Sequence, residues 1–167
     1  MSFWPVQPLD PTTCSDDDLA GLHRLEVALE TEALPGEPVA PLGHTVAKLR
    51  HVNPFLVRKG WVVRQAGATG PIAASAFCSF VDVPENRHHA DVTVAVHPAV
   101  RGVGIGSALL TRAVDAARRW GCTVLDAEAR VGGPGEPFLR RLGAARRLVE
   151  RRSRCRTADI DRSRLEG

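Results

Sequence analysis

Three glycines at alternate positions, Gly102, Gly104 and Gly106, follow Arg101 and lead into an amphipathic run that begins at Ile105. This spacing suits an anion. Glycine lets the backbone curve closely around a phosphate, and the free amides and dipole at the start of the next helix favour negative charge. Arg101 adds a charged fork of donors. Residues 94–110 therefore read as a strand, a phosphate-binding loop and a helix. The candidate contacts are Val94, Val96, Arg101, Gly102, Val103, Gly104, Ile105, Gly106 and Ser107. Two commoner glycine loops are excluded. A dinucleotide fingerprint needs Gly-x-Gly-x-x-Gly with an acidic residue about twenty positions on, and an NTP-binding loop needs a lysine where Ser107 follows Gly106.

The strand, the Pro98 break, the loop from Arg101 to Gly106 and the helix resemble the acyl-CoA-binding motif of the GCN5-related N-acetyltransferase (GNAT) superfamily. Phe138-Leu-Arg-Arg-Leu-Gly-Ala144 resembles that family's short helix ending in Leu-Gly-Phe, with Ala144 in place of the Phe. The acidic connection Asp82-Val-Pro-Glu-Asn-Arg-His88 is similar to one in the first unit of actinobacterial members that carry two such domains. The resemblance spans about residues 6–160. It implies an α/β (α+β) fold, with a mixed, mostly antiparallel central sheet flanked by helices and a splayed cofactor cleft.

It also implies a reaction. Acetyl-CoA is the acyl-donor cosubstrate, and an amine of a small molecule or peptide attacks it directly, with no protein nucleophile. Backbone groups around Val94 and Val96 would pair with the pantetheine arm, and the amide near Val96 would polarise the thioester carbonyl. Asp91, Glu85 and Glu128, in that order, are the candidate catalytic bases near the splayed opening, with His88 and His89 as relays through water. The tyrosine that many family members use as general acid falls at Leu139, and this sequence contains no tyrosine. A catalytically degenerate acyl-CoA-binding regulatory or scaffold domain is therefore the alternative.

Composition bounds the rest. At 167 residues and 44% hydrophobic, the chain is expected to form one domain, 1–167. It has no apolar run long enough to span a bilayer, and Met1-Ser-Phe-Trp-Pro lacks an export pattern, so a cytoplasmic location without a membrane partner is expected. Cys14, Cys78, Cys122 and Cys155 are too widely spaced for a metal pattern and read as buried thiols. Arginines crowd the C-terminal part, but no aromatic stacking series accompanies them. Arginine is also the general cation of a chain whose lysines are Lys48 and Lys59, so no nucleic-acid partner is expected. A homodimer is compatible with this composition.

Several elements must position the loop. A first strand is expected at 6–9. A helix capped by Ser15 should run to about Glu32, with Asp16, Asp17 and Asp18 complementing its positive end rather than binding a metal. A second helix is expected at 42–52. In the family this region borders the acceptor entrance, so Glu30, Glu32 and Glu37 are placed to select a cationic substrate. Strands at 61–65 and 72–81 read as a hairpin across the turn-rich 66–71, and further strands are expected at 89–96 and 123–128. The helix from Gly104 to Trp120 should bury Ile105, Leu109, Ala113, Ala116 and Trp120. A short helix at 138–142 and strands at 146–151 and 156–160 complete the pattern. His97, restricted by Pro98, reads as a strand-end residue.

Overall fold

The computed structural model describes residues 4–51, 53–65, 67, 69–150 and 157–160. Two compact units divide the chain, one up to Glu128 and one from Ala129 onward. The first is a five-stranded sheet in the order β1 (Val6–Leu9), β2 (Leu56–Arg64), β3 (Ile72–Val81), β4 (His89–Val96) and β5 (Val124–Ala127). The first four strands pair antiparallel, and β5 runs parallel to β4. Helices α1 (Asp16–Ala33) and α2 (Leu42–Arg50) cover one face, and α3 (Ile105–Trp120) covers the other. This is the mixed, mostly antiparallel sheet that the sequence predicts. Among the described residues no helix is long and apolar enough to cross a membrane.

Each helix begins where its sequence allows. Ser15 caps α1: its hydroxyl accepts from the Asp18 amide at 3.1 Å, and the Asp18 carboxylate accepts from the Ser15 amide at 3.2 Å. Asp18 also pairs with Arg64 of β2, tying the helix start to the sheet. Burial opposes ionisation of Asp18, but the Ser15 and Arg64 bonds outweigh it and hold the carboxyl below its usual range. The acidic triplet is thus a helix-start device, as its position predicts. At the other end of the sheet, α3 buries Ile105, Leu109, Ala113, Ala116 and Ala117 against Ala74, Ala76, Cys78, Ala90 and Val92. Alanines on both surfaces let this helix sit close to the strands.

Three expectations need correction. Strand β2 starts at Leu56 rather than Trp61, because β3 is long enough to pair with it back to Val81 and that ladder extends through the charged Arg58-Lys59 step. Residues 146–150 form no strand and are exposed. Leu148 and Val149 are adjacent, so an extended chain would send them to opposite sides and leave neither face apolar. Residues 157–159 form a 3₁₀ turn instead of a strand, while Arg151 and Arg156 lie outside the described residues. The second unit keeps its short helix, α4 (Gly135–Arg141), which starts earlier than predicted. There Glu136 is held below its usual range, first by the Gly132 amide at 2.9 Å, with Arg140 and Arg146 adding to the effect.

One glycine in the sheet has no room for a side chain. A Cβ at Gly60 would lie 2.6 Å from Phe77 Cε1 and 2.7 Å from the Leu9 carbonyl oxygen. Gly60→Ala is expected to destabilise the protein by about 1–3 kcal/mol, the usual scale of overpacking. Thermal denaturation should register this as a drop of several degrees, and an unchanged midpoint would contradict the close approach.

Candidate functional site

The β4–β5 ladder runs from His89↔Val124 to Val92↔Ala127 and stops there. Strand β4 continues through residues 93–96, held only by β3, with no strand on its other edge among the described residues. The His97 amide donates to the Ala73 carbonyl of the β3 side at 2.9 Å. Backbone groups alternate along a strand, so Val94 and Val96 turn their amides and carbonyls toward the open edge. This gap is the splay that the sequence reading anticipates. Side chains of Val94 and Val96 pack toward the α3 core, while Thr93 and Ala95 point to the α1 and α2 face.

Immediately after β4, His97 ends the strand. Its Nδ1 accepts from the Ala99 amide at 3.2 Å, capping a 3₁₀ turn at Pro98–Val100. Gly102 and Gly104 follow with φ of 81° and 90°, the left-handed region that side chains avoid. A Cβ at either would meet nothing within 4 Å, so the loop borders open space. Gly104 is the N-cap of α3 and has no side chain to cap it, and the first intrahelical bond is Ala108 N–H to the Gly104 carbonyl at 3.0 Å. The amides of Ile105, Gly106 and Ser107 are thus left at the positive end of a long helix. Such a cradle fits a pyrophosphate.

Arg101 lies beside this cradle but is already engaged. Its Nη1 and Nη2 donate to the two Glu32 carboxylate oxygens at 2.7 and 2.6 Å, and its Nε donates to the Val96 carbonyl at 3.2 Å. The Arg101 hydrogen bond is the main reason the Glu32 carboxyl sits below its usual range. The pair joins the end of α1 to the loop. Sequence reading assigned Glu32 to the acceptor entrance and Arg101 to phosphate; the structure brings the two together.

On the opposite face of β4 lies a cleft of about 220 Å³. Leu22, Leu25 and Leu29 of α1 and Leu49 of α2 form its apolar wall, and Ser75, Thr93 and Ala95 form its floor. Glu26, Glu30, Thr45 and Lys48 add polar groups. Glu26, Thr45 and Ser75 were missed by the sequence reading, because nothing local to them signals that α1, α2 and the sheet converge there.

The proposed bases are spread along the sheet. Asp91 is exposed and shares a face with Thr93, since both alternate with the buried Ala90 and Val92. Glu128 directly follows Ala127, the last β5 residue paired to β4, so it stands where the edge opens. Glu85 lies in the turn before β4, at the far end from Val96. His89 is there too, with its Nδ1 2.9 Å from Asp126 and its ring edge-on to His88. That end is about 24 Å from Val96 at about 3.4 Å per residue, so these histidines lie far from the open edge. Two thiols near the strand are disfavoured as nucleophiles: burial pushes Cys78 up to about 11 and raises Cys122 as well. Among the described residues no group of His, Cys, Asp or Glu is arranged to hold a metal ion.

Comparison with known proteins agrees with this geometry. A tandem GNAT protein from the clavulanic acid biosynthesis pathway is 28% identical, with a TM-score of 0.67 over 87% of this chain and 45% of that one. The chain therefore spans under half the length of that relative. An aminoglycoside acetyltransferase from an uncultured soil metagenomic sample, solved with sisomicin, gives a TM-score of 0.66 at 16% identity, covering 92% of this chain and 97% of its own. An aminoglycoside N-acetyltransferase solved with CoA gives 0.63 at 16% identity, covering 93% and 97%. At that identity these two show the fold alone. No curated protein matches significantly. Residues 47–143, more than half of the chain and including the open edge and the glycine loop, match the Acetyltransferase (GNAT) family, and the chain belongs to it.

Proposed function

We propose that this chain, acting as one domain across 1–167, transfers an acetyl group from acetyl-CoA to an amine nitrogen of a small molecule or peptide. The observation that carries the reading is the edge of β4 left open along residues 93–96, with the glycine turn and uncapped α3 directly after it. Val94 and Val96 would pair with the pantetheine arm as a neighbouring strand would. Gly102, Val103 and Gly104, with the amides of Ile105, Gly106 and Ser107, would hold the pyrophosphate. The donor supplies a thioester whose sulfur can leave.

The Val96 amide, fixed in the strand, would be aimed at the thioester carbonyl oxygen, where negative charge develops. The acceptor amine, held in the α1 and α2 cleft, attacks as the free base. A C–N bond forms, the C–S bond breaks, and the proton lost by nitrogen passes to a carboxylate or water. Glu128, at the fork of β4 and β5, and Asp91, on the cleft face, are the groups we assign to accept it. Asp91 lies about 17 Å from Val96 at about 3.4 Å per residue, so its role requires a chain of several waters, and Glu128 is the nearer candidate. The missing tyrosine favours one competing reading, a catalytically inactive acyl-CoA-binding regulatory or scaffold domain.

Calorimetry with acetyl-CoA should show saturable binding that Gly104→Trp sharply weakens without unfolding the protein. Absence of binding by the wild-type protein would sink the assignment. An amine-library assay read by product mass then separates the enzyme from the binding domain.

Glu32→Gln should free Arg101 for phosphate and raise acetyl-CoA affinity about threefold, the scale of an exposed ion pair. Because its partner lowers the Glu32 pKa, the pair is fully formed above about pH 4.3 and is lost as pH falls through the lowered value. The two proteins should therefore differ at neutral pH and converge in acid; a constant difference would contradict the pairing.

For the base, Asp91→Asn is expected to retain acetyl-CoA affinity and lower turnover, less so at high pH where the amine is already neutral. An unchanged pH profile would leave Glu128 as the stronger candidate.

A further inference from the structure

We infer that Glu26 determines acceptor specificity, and that the acceptors it selects carry a second, cationic amino group besides the one that reacts. This rests on the acetyltransfer reading given above. Glu26 and Glu30 stand one helical turn apart on α1, and both line the cleft. The last turn of α1 contains no basic residue, and carboxylates near a helix C-terminus meet the negative end of its dipole. Local helix stability argues against Glu30, which lies in that last turn, so a cation arriving in the cleft would compensate it.

Glu26 is held for such a partner. The Thr45 hydroxyl, only 3% exposed, donates to Glu26 Oε2 at 2.8 Å, and His23 Nδ1 lies 3.0 Å from the same hydroxyl oxygen. A hydroxyl has one proton to give, and it goes to the carboxylate. His23 must then donate from Nδ1, which fixes the chain of bonds and the carboxylate's direction. The other oxygen, Oε1, faces a primary ammonium, Lys48 Nζ at 3.5 Å, whose side chain is 63% exposed. That long, solvated arm is an exchangeable occupant of the position a ligand's ammonium would take. Glu30 has no charged partner among the described residues.

An independent observation points to a ligand in the same cleft. Ser75 is 5% exposed, lines the floor, and its hydroxyl has no hydrogen-bond partner among the described residues. Among the described residues no side-chain oxygen fully shut from solvent lacks a partner, so this hydroxyl opens into the cleft, where a ligand can bond it. The leucines between these polar groups suit a methylene spacer. The amine that attacks has to be neutral, and a carboxylate beside it would hold it protonated. The group bound at Glu26 is therefore a different one, which defines a diamine rather than a monoamine.

The test compares hexylamine with the linear six-carbon diamine, by calorimetry on the CoA-loaded protein and by steady-state kinetics. The diamine should bind about tenfold tighter, or about 1.4 kcal/mol, with the difference in KM rather than kcat. Glu26→Gln keeps an acceptor for Thr45 and should erase the preference; Lys48→Met, an exposed change, should strengthen diamine binding about threefold. Equal affinity for the two amines, or a preference that survives Glu26→Gln in a protein of unchanged melting temperature, would overturn the proposal. Binding that depends on Glu26 without acetylation of any amine would support the cleft assignment and count against the enzyme reading alone.

Discussion

Strand β4 outruns its parallel neighbour, and the site depends on that mismatch. Beyond Val92 it is fastened to β3 along one edge and by Val94 and Val96 to the α3 core across one face. A strand with a free edge carries unpaired amides and carbonyls that must find water or a ligand. Here the free edge is short, and the chain leaves it through a proline turn directly into the glycine loop. Backbone donors of two kinds, from a strand edge and from a helix start, are thereby aligned along one continuous stretch of chain. No side chain is needed to create either set.

The sheet then separates two tasks. On one face, alanines and the α3 helix form a dry core that holds β4 rigid. On the other, the packing between α1, α2 and the sheet is incomplete, and the gap contains ionisable groups. The Arg101–Glu32 pair crosses from the end of α1 to the loop after β4, so the helix that walls the gap is tethered to the glycine turn. Displacement of one partner by an anion would be felt at the end of the other's helix.

Local chemistry made much of this legible in the sequence. The alternate glycines predicted a closely curved loop, and Gly102 and Gly104 curve it through left-handed φ. Ser15 with Asp18 predicted a cap, and the period of Ile105, Leu109, Ala113 and Ala116 predicted the buried face of α3. What stayed hidden was long-range. Glu32 meets Arg101 across 69 positions, and Thr45 meets Glu26 across 19, pairings that no local pattern encodes. The early start of β2 depends on how long β3 is, and the strand expected from residue 146 fails because the consecutive Leu148 and Val149 cannot share a face.

Burial of Cys78 has a chemical consequence under the thioester chemistry proposed above. A thiolate within reach of an acyl donor takes the acyl group by exchange, which would consume the donor and modify the protein itself. Cys78 pairs with Val92, two residues before Val94, and its sulfur lies inside the α3 core with its pKa pushed up to about 11. At neutral pH that sulfur stays protonated and enclosed. The same dry core that stiffens the strand thereby guards the sheet's own thiol against self-acylation.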